Sequence, residues 1–238
     1  MNSENIEKYK NTFDEYDVTI PGYFKIQDLN TFTMFSSIQS EHNLIENAVE
    51  IGVYYGRGVV HLSNLDYKHV LGIDLFENQI ENISQSGKCD ENTYDEVLKY
   101  LNQYGISEKV ELIKCNSMTI NRDKLQNVSF FHIDGGHSYS ESYSDLLICS
   151  NNAIDQSIIS MDDMFNADWP DVSAATSQFL INNKKFRAIL FSGNKIYLCR
   201  DDMYLFYKSE IVKYCDKNNI HMFDGHQIRF LNSNIIKI

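Results

Sequence analysis

The sequence predicts an α/β fold in which a mostly parallel sheet is wrapped by helices, and three observations support it. Apolar segments of strand length alternate with amphipathic segments of helical spacing along the middle of the chain. The chain has 238 residues, 43% of them hydrophobic, which suits one well-buried core. Late in the chain, Ser192-Gly193-Asn194 separates two short apolar runs, as in a β-hairpin, so we expect the sheet to end in an antiparallel pair.

Seven strands are expected in this sheet. The parallel part comprises Asn47–Val53, His69–Leu75, Lys109–Cys115, Val128–Asp134 and Ser157–Met161, and the hairpin comprises Phe186–Phe191 and Lys195–Cys199. Helices are expected over Gly58–Leu65, Glu91–Tyr104, Ser138–Asn151 and Val172–Asn183, where apolar residues recur at helical spacing. The polar segment Glu77–Asp90 is expected to be a loop.

The whole chain is expected to form a single domain, with a core at residues 44–200. Met1–Asn43 and Asp201–Ile238 lie outside the alternating pattern and are interpreted as elaborations, a lid before the core and a flap after it. Two roles stay open for the aromatic-rich segment Pro21–Phe35, which could close over a ligand or contact a second subunit in a homo-oligomer.

Charge and composition argue against several classes of function. The net charge is −12, from 33 acidic residues against 21 lysines and arginines, and such a surface repels nucleic acids and anionic membranes. No apolar run approaches the roughly 18 residues of a membrane span, and the polar N-terminus lacks the features of a signal peptide. The five cysteines are scattered and odd in number, which predicts reduced thiols in a cytoplasmic protein.

The first motif is a glycine-rich turn after the first strand, with the spacing G-x-x-x-G-x-G from Gly52 to Gly58. Glycines let the backbone approach a ligand closely, and the helix that follows offers free N–H groups. The carboxylate of Glu50 suits the cationic end of a ligand, and Asp74 at the end of the second strand can accept two hydrogen bonds from a ribose diol. The turn therefore favours a nucleoside ligand over its alternative, an ordinary tight turn beside a solvated aspartate.

Acidic residues end two neighbouring strands of the predicted sheet. Asp134 ends the fourth strand, and Asp162 and Asp163 follow the fifth. Ligands of open α/β sheets bind at the carboxyl ends of the strands, so we expect the three carboxylates to converge there. Because carboxylates close together repel one another, a hard cation such as Mg²⁺ or Ca²⁺ would stabilise them. Taken singly, each aspartate could instead be an ordinary turn or helix-capping residue.

Two histidines lie near these acids in the sequence. His137 follows Asp134 by three residues and could reach the same site as a neutral general base for a hydroxyl group. The alternative for His137 is a surface histidine without a role. His132 alternates with Phe131 and Ile133 inside an apolar strand, so we interpret it as structural.

The chain resembles class I S-adenosylmethionine-dependent methyltransferases, and most closely the branch of macrolide-sugar and aminocoumarin O-methyltransferases. The resemblance is carried by the segments AVEIGVYYGRG, VLGIDLF, FFHIDGGHSY, SIISMDDMFNADWPDV and GNKIYLCR, which together cover residues 47–200. It implies a Rossmann-like, doubly wound sheet. One departure is Gly58, where the cofactor turn of the family often has serine or threonine.

The resemblance also implies a role for each matching residue. It places the cofactor S-adenosyl-L-methionine against Glu50, Gly52, Tyr54, Gly56, Gly58, Asp74, Asn116, Ser117 and Asp134. Of these, Glu50 and Gly52 would lie at the methionine end, Asp74 at the ribose, and Asn116 and Ser117 at the adenine. It implies that Asp134, Asp162 and Asp163 hold Mg²⁺ or another hard divalent cation. It makes His137 the general base, with Asp134 beside it in the catalytic centre.

The expected function is therefore O-methylation of a hydroxyl on a sugar or glycosylated natural product. Phe165, Trp169 and Tyr139 flank the expected site and could stack on the acceptor or simply pack under a loop. Alternatives are a small catechol or phenol as acceptor, a metal-free enzyme with Asp134 as base, a nicotinamide-dependent oxidoreductase, and a catalytically silent cofactor-binding subunit.

Overall fold

The computed structural model describes residues 18–78, 80, 82–83, 93–222, 228–231 and 233–238. Its strands are β1 (Asn47–Ile51), β2 (Val70–Asp74), β3 (Val110–Lys114), β4 (Val128–Ile133), β5 (Ala153–Met161), β6 (Phe186–Ser192), β7 (Lys195–Arg200), β8 (Ile228–Phe230) and β9 (Ser233–Lys237). Its α-helices are α1 (Ile26–Glu41), α2 (Arg57–Asn64), α3 (Thr93–Gln103), α4 (Tyr139–Asn152), α5 (Pro170–Asn182) and α6 (Tyr204–Lys217).

The strands form one sheet in the order β3-β2-β1-β4-β5-β7-β6-β9-β8. The first five strands in the chain pair in parallel, and β7 pairs antiparallel with both β5 and β6. The chain winds outward from β1 in one direction through β2 and β3, and from β4 in the other through β5. Strand order thus reverses between β1 and β4, which is where open sheets of this kind bind ligands.

Helices cover both faces of the sheet, because strand side chains alternate between two apolar cores. Ala48 and Phe130 face a core that also contains residues of α1, α2, α3 and α6. Their neighbours Val49 and Phe131 face the opposite core, which contains residues of α4 and α5. The structure therefore has three layers, with the sheet in the middle.

The structure describes Met1–Asn43 from Val18 onward, and most of this part is helix α1, which packs into the core. Eleven of the sixteen residues of α1 are buried, and the rings of Phe32 and Phe35 are completely enclosed. Helix α1 is therefore part of the first core. The sequence did not predict the burial of α1, because hydroxyl-bearing and amide residues of the helix, such as Thr31 and Gln39, are buried as well. These polar residues interrupt the spacing of apolar residues that marks a buried helical face.

The expected seven strands are corrected to nine among the described residues. The tail after α6 returns to the sheet, where β9 pairs in parallel with β6 through Leu190 and Ile236, and β8 pairs with β9. The hydroxyl of Tyr204 donates a hydrogen bond of 2.6 Å to the carbonyl of Asn234 and anchors the tail. The tail covers β6, whose outer edge would otherwise expose unpaired backbone groups.

The other expected elements are confirmed to within a few residues, except that β5 begins four residues earlier, at Ala153. Much of the loop expected at Glu77–Asp90, and the first two residues of the helix expected from Glu91, lie outside the described residues. Cys115, Cys149, Cys199 and Cys215 are free thiols, and Cys89 lies outside the described residues. Within the described part of the chain, every helix is too short or too polar to cross a membrane.

Candidate active site

A cavity of about 740 Å³ opens at the carboxyl ends of β1, β2, β4 and β5. Its size falls in the range of small-molecule and cofactor sites. Every residue expected to contact the cofactor or a metal lines it, with the exception of Gly56, which lies at the N-terminus of α2. The topology therefore brings the glycine turn and the acidic strand ends to one place, as their positions in the sequence suggested.

The glycine turn is closely packed against the rest of the cavity. Gly52 has a φ of +88°, and a Cβ atom there would run into the main-chain carbonyl of Asp134. A Cβ atom at Gly58 would run into the carboxylate of Glu50. This second contact explains why the chain has glycine where similar cofactor turns often have serine or threonine.

Asp74 braces the glycine turn through the backbone. One carboxylate oxygen accepts hydrogen bonds from the N–H groups of Val53 at 2.6 Å and Tyr54 at 2.8 Å, and the other accepts from Phe76 at 2.6 Å. Burial raises the pKa of Asp74, and these backbone hydrogen bonds oppose the rise. A carboxylate has about four acceptor positions, so backbone N–H groups take up most of those of Asp74.

Asn116 and Ser117 follow β3 on the far side of the same cavity. The amide oxygen of Asn116 accepts a hydrogen bond from the N–H of Met118 at 3.0 Å, and the hydroxyl of Ser117 donates to Asp145 at 2.6 Å. Burial raises the pKa of Asp145 to about 7, and the hydrogen bond from Ser117 opposes the rise. Sequence reasoning missed Asp145, although its position on the buried face of α4 was the available signal.

Glu50 and His132 form a buried pair beneath the glycine turn. They are direct neighbours across β1 and β4, and Nδ1 of His132 lies 2.7 Å from Oε1 of Glu50. Burial, together with the carboxylates of Asp134 and Asp74, raises the pKa of Glu50, whereas burial lowers the pKa of His132. His132 is as buried as expected for a structural residue, and it also lines the cavity.

Asp162 is held by a lysine that sequence reasoning missed. Nζ of Lys195, at the start of β7, lies 2.5 Å from Oδ2 of Asp162 and 3.2 Å from Oδ1 of Asp28 in α1. The other oxygen of Asp162 accepts a hydrogen bond of 2.6 Å from the N–H of Asp163. The Lys195 side chain is 3% exposed, so its charge is compensated by these two carboxylates and not by water.

Asp163 faces His137 instead of Lys195. Oδ2 of Asp163 lies 2.9 Å from Nε2 of His137, and its Oδ1 accepts hydrogen bonds from Asn166 at 2.8 Å and Asn194 at 3.1 Å. Burial tends to raise the pKa of Asp163, but the hydrogen bonds from His137 and the two amides outweigh it and lower the pKa. The residue has a φ of +53°, a left-handed conformation that turns its side chain away from that of Asp162.

His137 binds a proton more tightly than we predicted. Its Nε2 lies 3.9 Å from Asp134 and 2.9 Å from Asp163. Burial tends to lower the pKa of His137, but the two carboxylates outweigh it and raise the pKa to about 9. Without a cation, this arrangement thus favours the protonated form of His137 near pH 7 over the neutral form that we predicted. Burial and the carboxylate of Asp162 raise the pKa of Asp134 to about 7.

Two groups of side chains could hold a cation, and they share Asp134. One group consists of His132, Asp134 and Asp162, and the other of Asp134, His137 and Asp163, with the ligand atoms of each group within 4.8 Å of one another. The three aspartates thus meet in one cavity. Among the described residues, however, they are divided between these two groups.

One of the three flanking aromatic residues belongs to the site. Trp169 lines the cavity and stacks on His137, with 4.6 Å between ring centroids. Phe165 packs instead against Phe191 and Phe230 of the C-terminal strands, and Tyr139 stacks on Tyr143. One face of the Trp169 ring therefore packs on the imidazole of His137 in the cavity wall.

Ahead of α1, residues 20–25 form a strap that runs along the cavity. Nε and Nη2 of Arg57, the first residue of α2, donate to the carbonyl of Ile20 at 2.9 and 2.5 Å, and Nη1 donates to the carbonyl of Phe24 at 3.2 Å. Tyr23 stacks on Tyr54 of the glycine turn, with 6.2 Å between ring centroids. The first part of Pro21–Phe35 therefore forms a cavity wall, and the second part is the core helix α1.

Comparison with known proteins agrees with this geometry. Residues 49–164 match the family described as a methyltransferase domain. No curated protein sequence matches the chain.

Solved structures share the fold at low sequence identity. The O-methyltransferase NovP superposes with a TM-score of 0.60 at 16% identity, over 74% of this chain and 80% of that one. CalS11, a calicheamicin methyltransferase, gives 0.57 at 11% identity, over 84% and 94%. PaMTH1 of Podospora anserina, solved with S-adenosylhomocysteine bound, gives 0.53 at 12% identity, over 85% and 89%.

The matched domain spans β1 to the acidic turn after β5 and so contains most of the residues that line the cavity. The glycine turn, the buried acid beneath it and the strand-end carboxylates all lie in this stretch. The matched methyltransferase domain and the cavity that it lines together support an S-adenosylmethionine-dependent methyltransferase.

Proposed function

We propose that the protein transfers a methyl group from S-adenosylmethionine to a hydroxyl of a sugar or glycosylated natural product, as in the macrolide-sugar and aminocoumarin branch. One observation carries this proposal: the glycine turn and the cluster of Asp134, His137 and Asp163 line the same cavity. NovP is described as an O-methyltransferase and CalS11 as a TDP-rhamnose 3′-O-methyltransferase, which supports oxygen as the acceptor atom and a sugar as its carrier.

The cofactor would lie across the glycine turn. We assign its methionine end to Glu50 and Gly52, its ribose to Asp74 and its adenine to Asn116 and Ser117. The assigned residues that complete this surface are Tyr54, Gly56, Gly58 and Asp134. The cofactor supplies a methyl group on a sulfonium sulfur, which an acceptor oxygen takes by in-line displacement. The products are S-adenosylhomocysteine, a methyl ether and one proton.

The strand-end carboxylates fit a divalent cation. Asp134, Asp162 and Asp163 offer oxygen atoms, which Mg²⁺ prefers, and Asp134 and Asp163 already converge with Nε2 of His137. A cation held there would orient two neighbouring hydroxyl oxygens of an acceptor and lower the pKa of the attacking one. The bonds of Asp162 to Lys195 and to the N–H of Asp163 hold its carboxylate still and leave lone pairs on both oxygens.

We assign His137 as the general base. The stacked ring of Trp169 and the carboxylate of Asp163 hold its imidazole in the cavity wall, close to Asp134. The imidazole accepts a proton only in its neutral form. Because the two carboxylates raise its pKa, neutralising them with a cation favours that form. Asp134, with a pKa of about 7, is the alternative base in a metal-free reaction.

Methyl transfer is tested directly with a donor that carries a ¹³C-methyl group. The protein is incubated with this donor and a panel of nucleotide sugars, glycosides, catechols and simple phenols, with Mg²⁺ or with EDTA, and products are identified by mass spectrometry. We expect a labelled methyl ether on a sugar diol, formed at least tenfold more slowly with EDTA. Labelling of catechols alone would contradict the proposed acceptor. Full activity in EDTA would contradict the cation.

A further inference from the structure

The cavity that we assign to the cofactor has an uneven distribution of charge. Its lining contains eight carboxylate residues: Glu50, Asp74, Asp134, Glu141, Asp145, Asp162, Asp163 and Asp168. Among the described residues that line it, Lys25 and Arg57 are the only lysine and arginine. The sulfonium and ammonium groups of S-adenosylmethionine suit the acids, whereas its carboxylate is repelled by them. The positions of Lys25 and Arg57 therefore matter for where the carboxylate can bind.

Arg57 is committed to the protein backbone. Its guanidinium donates to the carbonyls of Ile20 and Phe24, at each end of the strap, and the side chain is buried. These hydrogen bonds occupy N–H donors of the guanidinium group, and they hold the strap in place. His137 also lines the cavity, but it faces the carboxylates of Asp134 and Asp163. This leaves Lys25 as the basic side chain of the lining that can respond to a ligand.

Lys25 is held at a defined position although its side chain is exposed. It immediately precedes α1, and its N–H donates a hydrogen bond of 2.7 Å to Asp28. Asp28 is itself anchored by the buried ammonium of Lys195. The backbone of Lys25 is therefore fixed from two sides, by Arg57 through Phe24 and by Lys195 through Asp28.

We propose that Lys25 binds the carboxylate of the methionine part of the cofactor, and that Arg57 is a positioning residue that holds the strap for this contact. The proposal rests on the proposed function, because it takes S-adenosylmethionine as the ligand of the cavity. It gives the strap a definite role, which is to recognise the amino-acid end of the cofactor.

The test compares two ligands that differ only in the carboxylate. S-Adenosylhomocysteine and its decarboxylated analogue, 5′-(3-aminopropylthio)-5′-deoxyadenosine, are titrated calorimetrically into the wild type and into the variants Lys25→Ala, Lys25→Arg and Lys185→Ala. Lys185 is exposed and lies outside the cavity lining, so its variant controls for the change in net charge.

We expect Lys25→Ala to bind S-adenosylhomocysteine about tenfold more weakly, the size of one charge-assisted hydrogen bond, and to bind the analogue unchanged. Lys25→Arg should keep most of the affinity, and Lys185→Ala should behave as the wild type. Equal loss for both ligands in Lys25→Ala, or a wild type that binds both ligands equally, would overturn the role of Lys25. A folded wild type that binds neither ligand would instead contradict the proposed function.

Discussion

Replacement of Lys195 by methionine should strongly destabilise the protein, because it leaves two buried carboxylates without their cation. Nζ of Lys195 lies 2.5 Å from Asp162 and 3.2 Å from Asp28, and the side chains of Lys195 and Asp28 are each 3% exposed. Methionine keeps the length and most of the volume of lysine, so packing changes little. The variant loses the positive charge of the ammonium group, at a position that is shielded from water.

The magnitude follows from the burial of this group. Removing one partner of a buried ion pair costs about 3–5 kcal/mol. For a chain of this size each kcal/mol lowers the melting temperature by about 2–4 °C, so Lys195→Met should melt roughly 6–20 °C below the wild type. The exposed pair of Lys124 and Glu111 provides the matched control, since Lys124→Met should change the stability by less than about 1 kcal/mol.

The assay is urea denaturation followed by tryptophan fluorescence and circular dichroism, in EDTA so that no cation replaces the lysine. The double variant Asp28→Asn/Lys195→Met should lose less stability than the sum of the two single variants, since it buries one charge fewer. A loss in Lys195→Met no larger than that in Lys124→Met would refute the reasoning. Strict additivity of the double variant would show that Asp28 and Lys195 are not coupled.

Three further predictions concern the site. Gly58→Ala should cost about 1–3 kcal/mol in urea denaturation and weaken binding of S-adenosylhomocysteine, because its Cβ atom displaces the carboxylate of Glu50; wild-type values for both would contradict this. His137→Ala should lower kcat by about 10²–10⁴-fold and leave the calorimetric Kd of S-adenosylhomocysteine unchanged; parallel losses in both would indicate a structural role. In EDTA, His137 stabilises the fold fully below its unfolded pKa of about 6.5, and this contribution disappears as the pH rises through about 9. The stability difference between wild type and His137→Gln should therefore shrink over that range, and a constant difference would contradict the raised pKa.

The parallel core could be predicted from the sequence because strand burial leaves a simple signal. In β1 and β4, both faces of the strand are buried between two helical layers, so most of their residues are apolar. The same reasoning failed for α1, where buried hydroxyl and amide groups hide the apolar stripe. It also failed for β9, which lies far from its partner β6 in the sequence and outside the alternating pattern of strands and helices.

A site residue could be predicted where its position at the end of a strand determines its position in the cavity. Asp74 and Asp134 come at the ends of parallel strands, and the fold places both in the cavity. Lys195 was not predictable, because it begins an antiparallel strand and reaches the site only through the pairing of β7 with β5. The orientation of Asp162 and Asp163 toward different partners depends on the left-handed backbone at Asp163, for which the sequence has no glycine as a signal.

The most direct test of the account is a crystal structure of the protein with S-adenosylhomocysteine and Mn²⁺. We predict density for the ligand along the glycine turn, with its ribose at Asp74, and an anomalous peak within coordination distance of Asp134 and Asp163. Ligand density away from this cavity would contradict the assignment of the cofactor site. An ordered ligand in the cavity, without any anomalous peak at these carboxylates, would contradict the assignment of the cation.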